Sequence, residues 1–166
     1  MNAGSDLSRR LCVEEQLLPA SVTTQVKLMG HAPLNTPCDQ LAQPSLRCSV
    51  GVMAHNEAAN IGSLLDALLV QRTSLCEIAE IVVIASGCTD ATEEIVGEFS
   101  RRDRRVKLLL QARREGKASA INLFLRYAKS DILVLESADT VPLPTTIERL
   151  VAPFTDPEIG MTGGRP

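Results

Sequence analysis

The amino-acid sequence predicts an α/β protein in which helices cover both faces of a mainly parallel, doubly wound sheet. From Cys48 onward, short β-branched runs alternate with amphipathic stretches, which is typical of strand-helix-strand units. The run at residues 81–85 is apolar at every position, as expected of a strand that helices cover on both sides. Apolar residues at helical spacing, positions 61, 64, 65, 68 and 69, follow the first predicted strand.

The composition indicates one ordinary core and excludes a general nucleic-acid partner. The chain has 166 residues, of which 45% are hydrophobic, enough for about one domain. It has no Trp, one Tyr and three Phe, so there is little material for stacking bases, and its net charge of -3 lacks the basic footprint of a DNA- or RNA-binding protein. The five cysteines form no C-x-x-C pair, so we expect reduced thiols in a cytoplasmic protein.

The sequence divides near residue 47. Residues 1–47 contain four prolines and no sustained period of 2 or 3.6, which predicts a loosely structured N-terminal extension. Residues 48–166 form the predicted α/β domain. The N-terminus lacks the apolar stretch of a signal peptide, and no run reaches the ~18 apolar residues of a membrane helix, so membrane contact is expected only through a missing C-terminal region.

The first half of the domain holds two predicted strands, at residues 48–53 and 81–85, each followed by a helix. Asn56 is the predicted N-cap of the first helix, because its side chain can accept a hydrogen bond from a free N–H group of the first turn. Thr89 or Asp90 is the predicted N-cap of the second helix for the same reason.

The second half continues the alternation. It consists of a strand at residues 106–110, a helix at 117–129, a strand at 132–135 and a last helix that begins near Pro144. Residues 161–164 open an element that the chain does not complete. We therefore expect a sheet that is incomplete at its C-terminus, with an exposed edge that favours self-association.

Function is expected in the loops after the strands, because a doubly wound sheet binds ligands outside the carboxyl ends of its strands. After the first strand come His55, Asn56 and Glu57, and the second strand leads into Thr89 and Asp90. Helix capping alone accounts for these polar residues, although capping does not exclude ligand binding. Considered one at a time, these residues favour helix capping over ligand binding.

Two further loops carry clustered charge. Arg113, Arg114 and Lys117 surround a glycine at a helix start, which suits either a solvated turn or an anion site, and the residues favour neither. Glu136 and Asp139 follow the fourth strand. They are either acidic loop residues or ligands of a hard cation that bridges a diphosphate, and we favour the second interpretation.

Two common nucleotide motifs are absent from the sequence. No G-x-G-x-x-G follows the first strand. The Gly116-Lys117 pair does not end a Walker loop, because Gln111 occupies the place of its first glycine and Ala118 the place of the Ser or Thr that holds magnesium. Dinucleotide-binding and P-loop interpretations are therefore excluded.

Four segments together resemble family-2 glycosyltransferases, in the order that the family shows. VMAHNE (residues 52–57) is similar to the family's proline-x-tyrosine-asparagine-glutamate segment, and VIASGCTD (83–90) to its Asp-Asp-Gly-Ser-Thr-Asp turn. GKASAIN (116–122) resembles the glycine-lysine-x-x-alanine-x-asparagine segment, and LESADT (135–140) stands where an Asp-x-Asp motif ends the fourth strand. The resemblance covers about residues 48–166 and implies a Rossmann-like GT-A three-layer sandwich.

The resemblance implies a site for a nucleotide-sugar donor, with a UDP-sugar as the expected one. It places Asn56 and Glu57 in the base pocket, Lys117 with Arg114 near the phosphates, and Asp139 as the carboxylate that binds a divalent metal, Mg or Mn. The expected substrate-binding residues are His55, Asn56, Glu57, Ser86, Asp90, Arg114, Lys117 and Ser137.

The sequence also departs from the family pattern. Ala85 and Ser86 replace two acids after the second strand, and Ser137 replaces the first acid of Asp-x-Asp, beside Glu136, which strand alternation points to the other face. These changes leave three outcomes open: a shifted nucleotide preference, weaker metal binding, or loss of activity. With loss of activity, the chain would be a degenerate, non-catalytic nucleotide-binding module. An unrelated flavodoxin-like or regulatory domain is a third alternative. We favour an active variant because it keeps Asn56, Glu57, Asp90, Lys117, Asn122 and Asp139.

The implied reaction transfers a hexosyl or N-acetylhexosaminyl group from a nucleotide diphosphate to an acceptor, as in polysaccharide biosynthesis. The family's usual catalytic base lies downstream of the Asp-x-Asp strand, so we expect it beyond Pro166. The chain alone is then expected to bind donor without appreciable transfer. The full-length protein is expected in the cytoplasm or at the cytoplasmic face of a membrane.

Overall fold

A computed structural model of the protein describes residues 10–13 and 46–164. Strands and helices alternate along this part of the chain, as the sequence predicts. The elements are β1 Arg10–Val13, β2 Leu46–Ala54, α1 Ile61–Leu69, β3 Cys76–Ser86, α2 Thr92–Arg102, β4 Val106–Gln111, α3 Lys117–Tyr127, β5 Ile132–Ser137, α4 Thr146–Val151, a 3-10 helix Ala152–Thr155 and β6 Met161–Gly163.

The strands form one parallel sheet in the order β4-β3-β2-β5-β1-β6. From β2 the chain moves outward through β3 to β4, and it then returns to place β5 on the other side of β2. The direction of winding therefore reverses between β2 and β5, which is where an open α/β sheet leaves a crevice at its carboxyl edge. The predicted α/β architecture is confirmed.

Helices cover both faces of the sheet and enclose two apolar clusters. On one face α1, α2 and α4 bury residues such as Leu64, Phe99 and Ile147, and on the other α3 buries Phe124. Each fully buried side chain of this size contributes roughly 1.5–3 kcal/mol to folding by leaving water. The packing thus gives the three layers that the sequence implies.

Helix α3 lies unusually close to β2. A Cβ atom at Gly51 would stand 2.6 Å from the ring of Phe124, a separation that real side chains do not tolerate. Glycine in the middle of a strand is costly on its own, so its presence here marks a close approach of another element. The distance between α3 and the sheet is therefore set by this contact.

Strand β3 begins earlier than the sequence predicts. The prediction missed its first half because a buried acid interrupts the apolar pattern there. Glu80 is 2% exposed, and its carboxylate accepts hydrogen bonds from the Ser49 hydroxyl at 2.8 Å, the Lys107 ammonium at 2.6 Å and the Lys129 backbone N–H at 2.8 Å. Burial raises the pKa of Glu80, but the bonds from Lys107, Ser49 and Lys129 outweigh it and hold the pKa below its usual value.

Two helix starts differ from the sequence prediction. The N-cap prediction for Asn56 is wrong: α1 begins at Ile61 after a turn, and Asn56, at a φ of 56°, directs its side chain to another loop. Helix α2 begins at Thr92, and Asp90 Oδ1 accepts a 3.0 Å hydrogen bond from the Thr92 backbone N–H. Asp90 therefore stabilises the first turn of α2 from just outside it.

The N-terminal region contributes one strand to the sheet. Arg10–Val13 forms β1, between β5 and β6, whereas the sequence predicted a loosely structured extension over residues 1–47. The predicted domain boundary stays a prediction, because residues 14–45 lie outside the described part of the chain. Within the residues described, no helix combines the length and the apolar character needed to cross a bilayer.

Candidate functional site

A cleft of about 230 Å³ opens at the carboxyl edge of the sheet, where the winding reverses between β2 and β5. The ends of β2, β3 and β5 and the start of α3 all contribute to it. Six residues that the sequence nominated for substrate binding lie together here. The lining consists of Met53, Ala54, His55, Glu57, Ser86, Arg114, Gly116, Lys117, Ala120 and Ser137.

The loops after β2 and β3 are joined by hydrogen bonds at one rim of this cleft. The backbone N–H of Thr89 donates to Asn56 Oδ1 at 2.8 Å, the N–H of Glu57 to Thr92 Oγ1 at 2.8 Å, and the N–H of Ala58 to the Asp90 carboxylate at 3.0 Å. These bonds hold Asn56, Glu57 and Ala58 against the loop after β3 and the start of α2.

Asn56 and Asp90 do not line the cleft, although the sequence nominated both as binding residues. Their side-chain oxygens are engaged by the neighbouring loop, so what they do in this structure is to fix the rim. Hydrogen bonds from the Thr92 hydroxyl and from the N–H groups of Ala58 and Thr92 hold the pKa of Asp90 below its usual value. A role of Asn56 or Asp90 in binding stays a prediction.

His55 and Glu57 present polar atoms to the cleft. His55 Nδ1 lies 2.7 Å from the carbonyl oxygen of Ser86, and a carbonyl can only accept, so this nitrogen carries a proton. In the neutral ring, Nε2 is then left as an acceptor. Glu57 Oε2 accepts a 3.0 Å hydrogen bond from the Asn60 side chain. The atoms that His55 and Glu57 leave free on this side of the cleft are thus hydrogen-bond acceptors.

Cations lie on the opposite side, on the connection between β4 and α3. Arg114 and Lys117 both line the cleft, and Lys117 is the first residue of α3. Gly116 precedes it at a φ of 86°, and no side chain caps the helix start. Because the N-terminal end of a helix carries partial positive charge and free N–H groups, it adds to the two side chains in attracting an anion.

At the end of β5, two neighbouring side chains point to opposite faces. Ser137 lines the cleft, whereas Glu136 is 3% exposed and turned away. Glu136 Oε1 accepts a 2.5 Å hydrogen bond from the Thr140 hydroxyl, and its Oε2 has no hydrogen-bond partner among the described residues. The alternation expected from the sequence is therefore present, and Glu136 is not available to a ligand in the cleft.

Asp139 is the carboxylate left for a metal near this edge. It is exposed and does not line the cleft itself. The described residues contain no group of three or more His, Cys, Asp or Glu side chains that could hold a metal ion by themselves. One carboxylate fits an ion such as Mg²⁺ that takes its remaining ligands from water and a bound diphosphate. These residues fit a metal ion that a bound diphosphate also coordinates, and they do not fit a metal ion held by the protein alone.

The sequence did not predict that a group of residues holds the cationic connection in place, although it nominated one of them, Ser86, for substrate binding. Ser86, Gly87, Gln111, Glu115 and Ser119 make contacts that tie the connection to β3, to β4 and to the first turn of α3. The four-residue spacing of Glu115 and Ser119 around a helix start was the available signal, because residues at that spacing meet on one side.

Comparison with known proteins gives a consistent result. The family model described as Glycosyl transferase family 2 matches residues 49–166, more than half of the chain. Glycosyltransferase AglE of Haloferax volcanii is 28% identical over 116 residues, which make up 70% of this chain and 38% of that protein.

Solved structures match in the same region. The mannosyltransferase PcManGT of Pyrobaculum calidifontis, in complex with GDP-Man and Mn²⁺, is 32% identical at a TM-score of 0.60, over 70% of this chain and 35% of that one. Glucosyl-3-phosphoglycerate synthase of Mycobacterium tuberculosis, in complex with Mn²⁺, UDP and phosphoglyceric acid, is 27% identical at a TM-score of 0.55, over 66% and 39%. These matches confirm the GT-A fold, and this chain spans less than two fifths of each relative.

Proposed function

The chain belongs to glycosyl transferase family 2, and from this membership we propose that its cleft binds the nucleotide diphosphate of a sugar donor. The observation that carries the proposal is the placement of Arg114, Lys117 and the uncapped start of α3 on one side of the cleft. His55 and Glu57 lie on the other side. Cations at one end and hydrogen-bond acceptors at the other suit a ligand that has a diphosphate and a nucleoside.

The cationic side would act on the leaving group. When the bond between sugar and diphosphate breaks, negative charge develops on the diphosphate, and fixed positive groups stabilise that charge. Arg114 offers paired N–H donors to phosphate oxygens, and Lys117 a compact positive charge beside the helix start. A divalent metal held by Asp139 and the diphosphate would supply further positive charge to the leaving group.

The side of the cleft that carries His55 and Glu57 would select the nucleobase of the donor. His55, with Nδ1 bonded to the Ser86 carbonyl, offers an acceptor at Nε2, and the Glu57 carboxylate offers another. GDP-Man is bound by the mannosyltransferase and UDP by the synthase described above. We propose a UDP-sugar as the donor of this chain and expect titration to decide between uracil and guanine.

We further propose that the described residues bind donor but do not complete transfer. Glu57 is the one carboxylate lining the cleft within the described ranges, and we assign it to the nucleoside, so the group that takes the acceptor's proton is expected to come from elsewhere. A location of the full-length protein in the cytoplasm or at the cytoplasmic face of a membrane is part of the same proposal. A non-catalytic module is the second candidate, favoured by Ser137 in the place of a metal-binding acid.

Calorimetric titration of the chain with UDP and with GDP, each with and without Mn²⁺, tests the proposal. We expect one nucleotide to bind, with an affinity that Mn²⁺ raises and Asp139→Ala lowers. Lys117→Ala should weaken binding about 10-fold or more, the effect of losing a hydrogen bond to a charged group. Lys129→Ala is the matched control, because Lys129 is exposed and outside the cleft lining.

Metal-independent binding that Asp139→Ala does not change would support the non-catalytic module. Absence of binding to a chain that circular dichroism shows to be folded would contradict the donor-site proposal. Equal losses in Lys117→Ala and Lys129→Ala would show a general charge effect and remove the role given to Lys117.

A further inference from the structure

The connection between β4 and α3, residues 112–116, carries Arg114 and leads directly into Lys117. We propose that Glu115 is a positioning residue, which acts together with Ser86 to hold this basic loop so that Arg114 and Lys117 face the cleft. The inference rests on the proposed function, because it assigns these two cations to a bound diphosphate. It gives a role to an acid that lies between them.

Ser86 fixes the middle of the basic loop from the end of β3. Its side chain is buried, and its hydroxyl donates to the carbonyl oxygen of Arg113 at 3.4 Å while it accepts from the backbone N–H of Glu115 at 3.2 Å. A hydroxyl has one proton to donate, and here it forms the hydrogen bond to the Arg113 carbonyl. Ser86 thus bridges the residues on both sides of Arg114.

Gly87 sets how closely the basic loop approaches β3. Its backbone N–H donates to the carbonyl oxygen of Gln111 at 2.9 Å. A Cβ atom at this position would lie 2.4 Å from the backbone nitrogen of Arg114, so only glycine admits the loop here. Two consecutive residues of β3 and its following turn therefore hold the loop against the sheet.

Glu115 fixes the loop to the elements that it connects. Its Oε2 atom accepts hydrogen bonds from the Ser119 hydroxyl at 2.7 Å and from the Gln111 side-chain amide at 3.0 Å. Gln111 is the last residue of β4 and Ser119 lies in the first turn of α3. Gln111 Nε2 also donates to the Ser119 hydroxyl at 2.9 Å, so the three side chains together link the end of β4 to the start of α3, across the residues that carry Arg114.

Charge and position make opposite predictions for Glu115. A carboxylate near a bound diphosphate repels it, so removal of its charge alone should strengthen nucleotide binding. If Glu115 instead orients Arg114 and Lys117, its removal frees the loop, and the cations must be ordered again when the ligand binds. If removal of Glu115 weakens nucleotide binding, the result therefore identifies Glu115 as a positioning residue.

The experiment compares UDP affinity by calorimetry in the unaltered chain, Glu115→Ala, Glu115→Gln and Ser119→Ala. We expect about 10-fold weaker binding in Glu115→Ala and Ser119→Ala, since each removes hydrogen bonds that hold the basic loop, and normal or tighter binding in Glu115→Gln, whose amide oxygen still accepts from Ser119 but carries no charge. Glu158→Ala removes an exposed acid outside the cleft lining and is the charge-matched control. If GDP proves to be the ligand, GDP replaces UDP throughout.

Amide hydrogen exchange of residues 112–116 gives a readout that needs no nucleotide. We expect faster exchange in Ser86→Ala, Glu115→Ala and Ser119→Ala and unchanged exchange in Glu158→Ala. Equal or tighter nucleotide binding by Glu115→Ala overturns the inference and leaves the proposed function intact. If the unaltered chain binds neither nucleotide, the proposed function fails, and unchanged exchange in all variants overturns the positioning role separately.

Discussion

The Oδ1 atom of Asn56 accepts a 2.8 Å hydrogen bond from the backbone N–H of Thr89, which joins the loop after β2 to the loop after β3. Asn56 adopts a φ of 56°, a conformation that asparagine tolerates better than most residues and glycine best. The side chain and the backbone of Asn56 therefore both serve this junction, and substitutions can separate the two contributions.

Asn56→Ala should lower the free energy of unfolding by about 1–3 kcal/mol, because it removes the hydrogen bond and adds strain at positive φ. Asn56→Gly should cost about 1 kcal/mol less, since glycine adopts this φ without strain. Urea denaturation monitored by circular dichroism measures both. Equal effects of the two substitutions would show that backbone conformation contributes nothing here.

Gly87→Ala should destabilise the chain by roughly 2–5 kcal/mol, because alanine adds both strain at a φ of 59° and a clash with the backbone of Arg114. Gly116→Ala isolates the strain, since Gly116 has a φ of 86° and no atom within 4 Å of an added Cβ. Gly160→Ala lacks both effects and should leave the unfolding midpoint nearly unchanged. A loss for Gly87→Ala of no more than the ~1–2 kcal/mol that left-handed backbone alone costs would contradict the predicted clash.

Gly51→Ala should cost about 1–3 kcal/mol through overpacking against Phe124. Phe124→Leu alone should also destabilise, because it shortens a fully buried side chain. The double variant should be more stable than the sum of the two losses predicts, since the smaller side chain makes room for the added methyl group. Thermal unfolding of all four proteins measures this coupling, and strict additivity would show that the two positions are independent.

The periodicity of the sequence was sufficient to predict the strands from β2 to β5, the helices between them and the order of the loops at the carboxyl edge. The start of β3 was missed because Glu77 and Glu80 interrupt its apolar pattern. Glu80 is buried with partners from three other segments of the chain, and such partners can be found only after folding brings them together.

The site was predictable to a similar extent. Loop order and resemblance were sufficient to nominate His55, Arg114 and Lys117, which lie in the cleft. Local capping rules failed at Asn56, because its side chain bonds a residue 33 positions away in place of its own helix. Propensity within one loop contains no information about which neighbouring loop will accept or donate a hydrogen bond.

Stability should decrease on acidification partly through Glu80, whose pKa is lowered on folding. A carboxyl group with a lowered pKa stabilises the fold above its unfolded-state value of about 4.5, and this contribution disappears as the pH falls through the folded-state pKa. We expect the urea midpoint to fall between pH 5 and pH 3, roughly, and Glu80→Gln to show a smaller decrease over that range. The same pH dependence in Glu80→Gln would assign the effect to other groups.

Strand β1 has a consequence for how the chain assembles. It is the first of the described strands, yet its partners are β5 and β6, and Arg10 pairs with Ile132, about 120 residues further on. The units from β2 to β4 can form from segments close together in the chain, whereas β1 must wait until β5 and β6 have been synthesised. Such distant pairing slows folding, because a long loop must close before the contact is made. β1 leaves the ribosome well before its partners and is therefore expected to be among the last of these strands to find its place.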